Sequence, residues 1–534
     1  EKTRFPPLVE IVFVCKLRGQ VPCHKTRNLS PLSYRERLIC MTDKTRDEER
    51  TLILSFFHDH QNELLADIER LVKIPSVASD PLPGMPYGEA PCQALKSAAA
   101  ISERMGFHTK IEDNCCMTAD YGDRPVKLCL LAHLDVVSAG DGWTKPPYAL
   151  TKEGEKVFGR GVADNKGPGV ALLYAMKAAK EICPDLLYSP QVWFGTAEEI
   201  GSPDLKNYMK HTAMPPLCLT PDGLEAIVVG ECAKYRPEFY AEWPITKVLP
   251  RITSLRGGKV RNAIPGYAEA AVAGLAAADV KAAADKVSES TGVKFSMNDI
   301  KDGVYIKAEG RGAHIGRPEL GRNAQTALVS LLASLPLADC PGTRAIRSLS
   351  RLFPYGDLAG TGLGLTVRDE IMGCTQTNFT VCSMTETEIR CKMDSRGPLA
   401  ANPENYSSVI DKALQEAGFT VIPSVMDDAH YVPEYSPLVQ KVKEIYEEYY
   451  GFPALCCTSV GASYAHYIEG AVSTGVAAPG IDTMLHKSDE FMFIKDLLLI
   501  GETYTRIILD ICRMDDARRQ RELLIGKVND NKLL

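Results

Sequence analysis

Apolar and polar residues follow two different rhythms along this chain. Over 52–72 apolar positions recur at helical spacing, and 167–182 repeats it with Val170, Leu173, Ala175, Met176, Ala179 and Ile182. Asp164 or Asn165 stands just before the second stretch, where a helix start favours a short polar side chain. Between such stretches lie short apolar runs at 126–132, 191–195 and 216–219. These read as buried strands, and strands alternating with helices predict an α/β layer on a largely parallel sheet.

From about residue 232 the rhythm changes. Short β-like runs at 303–309, 376–382 and 388–393 mix with helical patterns at 268–288 and 323–335, as in an α+β domain. After Asp394-Ser395-Arg396-Gly397-Pro398, helical patterns at 404–417, 437–451 and 495–514 resume the first style. The expected organisation is an N-terminal extension over 1–50 and an α/β domain in two parts, 51–231 and 397–515. An α+β domain at 232–396 is inserted between those parts, and a polar tail follows at 516–534.

Composition narrows the class. A chain of 534 residues exceeds what one core usually serves. A hydrophobic content of 45% with 24% charged residues is that of ordinary globular proteins. The formal charge of −7, with no basic stripe, argues against a nucleic-acid partner. No apolar run reaches the roughly 18 residues of a membrane span, so no membrane partner is expected. The early stretch 8–15 is short, interrupted by Glu10, and lacks the marks of a secretory signal. The 17 cysteines are odd in number and scattered, with adjacent pairs Cys115-Cys116 and Cys456-Cys457 and no C-x-x-C. That pattern fits reduced thiols and a cytoplasmic location better than a disulfide framework.

Candidate chemistry gathers at the ends of the apolar runs. The run 126–132 leads into His133-Leu134-Asp135, whose first and third side chains share a face in extended chain. By themselves these residues read equally as a core histidine and a turn former. Gly159-Arg160-Gly161 precedes Asp164 at a helix entrance, where a helix cap is also sufficient explanation. The run ending at Gly195 opens into Thr196-Ala197-Glu198-Glu199; two carboxylates beside a buried strand need cations, water or hydrogen bonds, or else form a solvated loop. Asp222, in Thr220-Pro221-Asp222-Gly223, is also an ordinary turn residue. Four such coincidences at strand ends and a helix entrance point to one site, because open parallel sheets bind ligands at the carboxyl ends of their strands. Histidine and carboxylate donors without thiolates fit zinc, with manganese or cobalt as alternatives.

The ordered set H-L-D-V-V, G-R-G-x-x-D-N-K-G, A-E-E and P-D-G, followed far downstream by Met484-Leu485-His486-Lys487-Ser488-Asp489-Glu490, resembles the di-zinc peptidases that include aminoacylase, carboxypeptidase G, succinyl-diaminopimelate desuccinylase and carnosinase. It is most similar to the bacterial PepV-type dipeptidases, over about residues 55–515. The resemblance implies two zinc ions bridged by Asp164, one completed by His133 and Asp222 and the other by Glu199 and His486. It implies Glu198 as general base to a metal-activated water, and Asp135 as the carboxylate orienting His133. The inserted domain resembles the family's lid: Gly257-Gly258-Lys259-Val260-Arg261-Asn262 and Gly312-Ala313-His314 assign Asn262 and His314 to the substrate, and Asp394-Ser395-Arg396 makes Arg396 a partner for the substrate carboxylate. One departure stands out: Gly461-Ala462-Ser463-Tyr464-Ala465-His466 ends in histidine where the family pattern usually has arginine. The implied activity is hydrolysis of dipeptides, β-alanyl ones among them. An N-acyl or N-succinyl amino-acid amidohydrolase, or a non-catalytic peptide-binding module, are the alternatives.

Overall fold

The computed structural model describes residues 45–422 and 424–513. The expected extension lies outside the described residues except for its last few, and the expected polar tail lies wholly outside them. The chain separates into two units, Glu1–Glu49 and Arg50–Leu534, and both sheets and the site belong to the second.

The apolar run 126–132 forms the strand Val126–His133, buried along almost its whole length. It lies between Ser189–Gly195 and Leu217–Gly223 and runs parallel to both. Val472–Gly475 adds a further parallel strand beyond Leu217–Gly223. A strand covered on both faces has no polar side to present, which is why these runs are nearly continuous in apolar residues. Toward the edges the sheet turns antiparallel, through Cys116–Asp120 and His108–Glu112 on one side and Ile227–Glu231 and His430–Tyr431 on the other. The helices Lys166–Ile182 and Ile494–Cys512 pack on one another and on this sheet. Neither they nor any other helix of the described residues is long and apolar enough to cross a membrane.

The inserted part builds a second, antiparallel sheet in the order Lys294–Ile300, Gly303–Glu309, Tyr267–Ala273, Arg251–Gly257, Gln376–Met384, Glu388–Gly397, Glu238–Glu242 and Thr420–Ile422. Ala233–Tyr235 pairs with the last residues of Glu388–Gly397. The helices Ala277–Thr291, Ala324–Ser334 and Pro341–Leu352 contribute to its core, which gathers Leu255, Ile306, Leu328, Ile346 and Phe379. A mixed, centrally parallel α/β domain with an inserted α+β domain is therefore the fold.

Two expectations need correction. The pattern 268–288 is not one helix: Tyr267–Ala273 is a strand with alternating burial, Gly274 turns at φ 82°, and the helix is Ala277–Thr291. Alternating small residues serve a strand face as well as a helix face, so alanine content misled. The chain also does not leave the second sheet at 397. Ile410 and Leu414 of the helix Ser408–Glu416, and then Phe419, join the second core, and Thr420–Ile422 extends that sheet. Apolar spacing shows that a helix has a buried face, not which sheet receives it.

Candidate active site

Because Val126–His133, Ser189–Gly195, Leu217–Gly223 and Val472–Gly475 run the same way, their carboxyl ends lie along one edge of the sheet. His133 closes the first of these strands, Glu198 and Glu199 open a short 3-10 turn after the second, and Asp222 ends the third. Asp164 lies at the entrance of Lys166–Ile182, and His486 lies in the loop that follows Val472–Gly475. His486 has a positive φ of 60°.

The two oxygens of Asp164 face different histidines. His133 Nε2 is 2.8 Å from Oδ1 and His486 Nε2 is 2.9 Å from Oδ2. His133 Nε2 is also 3.8 Å from Asp222 Oδ1, and His486 Nε2 is 3.1 Å from Glu199 Oε1. Donor atoms of His133, Asp164 and Asp222 lie within 4.8 Å of one another, and so do those of Asp164, Glu199 and His486. The five residues expected as ligands thus form two groups that share Asp164.

Burial sets the electrostatics. It works against a charge on His133, but Asp135, Asp164 and Asp222 outweigh it and hold the imidazole well above its usual range. Burial and the charge of Asp164 push Glu199 up to about 7. Burial, with Asp164 as the nearest repelling carboxylate, pushes Asp222 up to about 6, and burial with Asp222 raises Glu198 well above the carboxylate range. Crowded buried carboxylates of this kind are costly without countercharge. One imidazole and two carboxylates in each group, with no thiolate, suit divalent cations.

Asp135 meets both His133 and the glutamate turn. His133 Nδ1 is 2.9 Å from the Asp135 main-chain oxygen, and the carboxylate Oδ1 stands 3.5 Å away. The Asp135 carboxylate also accepts the backbone N–H groups of Glu198 at 3.1 Å and Glu199 at 3.0 Å. It fixes the turn that presents both glutamates. Glu199 meets His486, whereas the Glu198 carboxylate accepts no hydrogen bond among the described residues.

Several supporting residues escaped the sequence reading. Asn165 occupies the helix N-cap position without capping it; its Nδ2 donates to Pro221 O at 2.6 Å and Asp222 Oδ1 at 3.2 Å. Asp204 Oδ2 accepts the N–H groups of Thr196 and Ala197 and the hydroxyl of Tyr464. The Cβ of any larger residue at Gly195 would strike Tyr464 and Asp204. Glu490 is fully buried: Oε1 accepts the N–H groups of Gly161, Ala163 and Asp164, and Oε2 accepts Arg160 at 2.6 Å. Asn165, Tyr464 and Glu490 each stood inside a motif that the sequence offered, whereas Asp204 carried no such signal.

From the second domain, Ala263–Ile264 pairs with Ala313–His314, which brings the Asn262 and His314 loops side by side. The His314 ring centroid is 6.5 Å from that of His486. Gly316 N–H donates to His314 Nδ1 at 3.1 Å, so a neutral ring carries its proton on Nε2. Burial and the neighbouring His486 and Arg396 lower the His314 pKa and favour that neutral form. Arg396 donates Nε and Nη2 to Asp394 and Nη1 to Val460 O, which leaves only part of its fork open. His466 is buried, with Nδ1 3.3 Å from Glu231 Oε2.

A beta-Ala-Xaa dipeptidase of Lactobacillus delbrueckii subsp. lactis is 27% identical over 468 residues, 85% of this chain and 97% of that protein. Human carnosine dipeptidase 1 shares the fold with a TM-score of 0.54 at 14% identity, covering 87% of this chain and 100% of its own. Dug1p, a di-peptidase of Saccharomyces cerevisiae, does so with 0.54 at 13%, covering 87% and 99%. The family model for peptidase family M20/M25/M40 matches residues 129–510, a span holding every residue of the site and the whole insertion. The chain belongs to peptidase family M20/M25/M40.

Proposed function

We propose that this protein is a metal-dependent dipeptidase, with His133, Asp164 and Asp222 holding one zinc ion and Asp164, Glu199 and His486 a second; manganese or cobalt suit the same donors. The observation that carries this reading is Asp164, which offers one oxygen to each half of the site. When bound, such cations polarise the scissile carbonyl and bring the pKa of a water from about 15.7 toward about 7.

The chain's own residues supply the rest. Glu198 takes a proton from the attacking water as the new C–O bond forms, and returns it to the amine nitrogen as the C–N bond breaks. Its freedom from other partners suits that task, and its place beside Glu199 is fixed by Asp135. His314 donates its Nε2 proton to the developing oxyanion. Asn262 and Arg396 hold the substrate's polar groups from the lid. The free thiols among the described cysteines, all but Cys456 and Cys457 buried, support a reducing compartment such as the cytoplasm.

Metal analysis paired with hydrolysis of an Ala-Ala-type dipeptide tests the proposal. Bound divalent metal, activity lost to a chelator and activity regained on adding zinc or manganese are expected. Chelator-insensitive hydrolysis refutes the metal, and turnover of N-acetyl amino acids in preference to dipeptides refutes the substrate class.

A further inference from the structure

The turn that carries the glutamates is held by its main chain, at four amides in succession. The N–H groups of Thr196 and Ala197 both donate to Asp204 Oδ2, at 2.7 and 2.9 Å. Those of Glu198 and Glu199 donate to the two oxygens of Asp135. Both aspartates are fully buried, where hydrogen bonds to a charged acceptor are at their strongest. Such a grip has a use at this place. The Glu198 carboxylate accepts no hydrogen bond among the described residues, so its position depends on how firmly the backbone beneath it is fixed.

The Asp204 half of this grip is itself anchored from a distant part of the chain. Its donors at Thr196, Ala197 and Leu205 all belong to its own stretch, and they close the segment 196–205 on itself. The Tyr464 hydroxyl, donating to Oδ2 at 2.6 Å, comes from 260 positions further on. Tyr464 opens the 3-10 turn Tyr464–Tyr467, and the residue before it is clamped in turn: Ser463 N and Oγ donate to Glu231 at 3.0 and 2.7 Å. The Tyr464 ring is fully buried and stands edge-on to Trp193 at 5.0 Å and to His133 at 6.4 Å between centroids. One side chain thus braces His133 with its ring and the turn of the base with its hydroxyl. Gly195 leaves the space in which that hydroxyl and Asp204 meet.

We propose that Asp204 and Tyr464 are positioning residues for the hydrolytic step, which fix the Glu198 carboxylate through the main chain of Thr196 and Ala197. The proposal rests on the dipeptidase reading, in which Glu198 moves the proton. A displacement of about 1 Å at a reacting group costs roughly 10²-fold in rate. A turn freed at one end is therefore felt in kcat before it is felt in the fold or in metal content.

The test uses the full chain loaded with metal and alanyl-alanine as substrate. Tyr464→Phe keeps the ring against Trp193 and His133 and removes only the hydroxyl. It should lower kcat about 10- to 100-fold, with KM changed less than about threefold and metal content unchanged. Asp204→Asn, which keeps the shape and removes the charge, should do the same. The double variant should be no slower than the slower single one, because the two residues act as a unit. The deciding measurement is made in a Glu198→Gln background. There Tyr464→Phe should leave the residual rate within about twofold, whereas a merely structural hydroxyl would lower both backgrounds alike. Equal losses in the two backgrounds, or a wild-type kcat in folded Tyr464→Phe, overturn the proposal; so does a loss that appears only in KM or in bound metal. If Asp204→Asn fails to fold, the two Tyr464→Phe measurements decide by themselves. A wild-type enzyme that does not cleave alanyl-alanine overturns the dipeptidase reading beneath it.

Discussion

Adjacent glutamates can divide two incompatible tasks, because one carboxylate committed to a cation and a histidine is a poor proton carrier. Glu199 meets His486, while Glu198, raised above the carboxylate range by burial and by Asp222, accepts no hydrogen bond among the described residues. Glu198→Gln should lower kcat by about 10²- to 10⁴-fold, with metal content unchanged after dialysis. Glu199→Gln should lose bound metal and regain part of its activity when metal is added in excess. Elemental analysis beside turnover measurements separates the two, and near-normal kcat in Glu198→Gln would remove the base from the mechanism. The five residues that the structure gathers around Asp164 were legible in the sequence because each stands in a short motif at an element boundary. The second role of Asp135, holding the glutamate turn, was not, because its carboxylate meets the N–H groups of residues more than sixty positions away.

At the scale of elements, the site is a set of loops tied together at their bases. Glu490 joins the His486 loop to the Gly161–Asp164 turn, and the next residues, Phe491–Phe493, pair with Lys156–Phe158 just before that turn. Replacing Glu490 by Gln keeps the shape but leaves Arg160, 1% exposed, without its counter-ion. A loss of about 3 kcal/mol is expected, read as a lower urea midpoint, together with metal affinity reduced roughly 10- to 100-fold. An unchanged midpoint would show that the loops hold themselves. Strands such as Val126–His133 and helices such as Lys166–Ile182 were legible because period and burial agree along them. The stretch 268–288 was not, since alanine fits either period, and helix propensity is overridden when a neighbouring strand offers pairing.

For the whole molecule, the decisive arrangement is the second domain over the edge of the first sheet, with His314 beside His486. His314→Leu removes the Nε2 donor and should reduce kcat by about 10²- to 10³-fold, while metal content and thermal midpoint stay at wild-type values. A change confined to KM would instead make His314 a substrate anchor. The sequence alone determined which residues could carry the chemistry, their order, and the two-part α/β domain with its insertion. Those properties are written in local patterns of period, turn and donor type. Tertiary structure decided which oxygen faces which histidine, that Asp135, Asp204 and Glu490 hold the turns, and where the insertion ends. Each of these depends on distances between residues far apart in the chain, which folding sets by packing and strand register and local spacing does not encode.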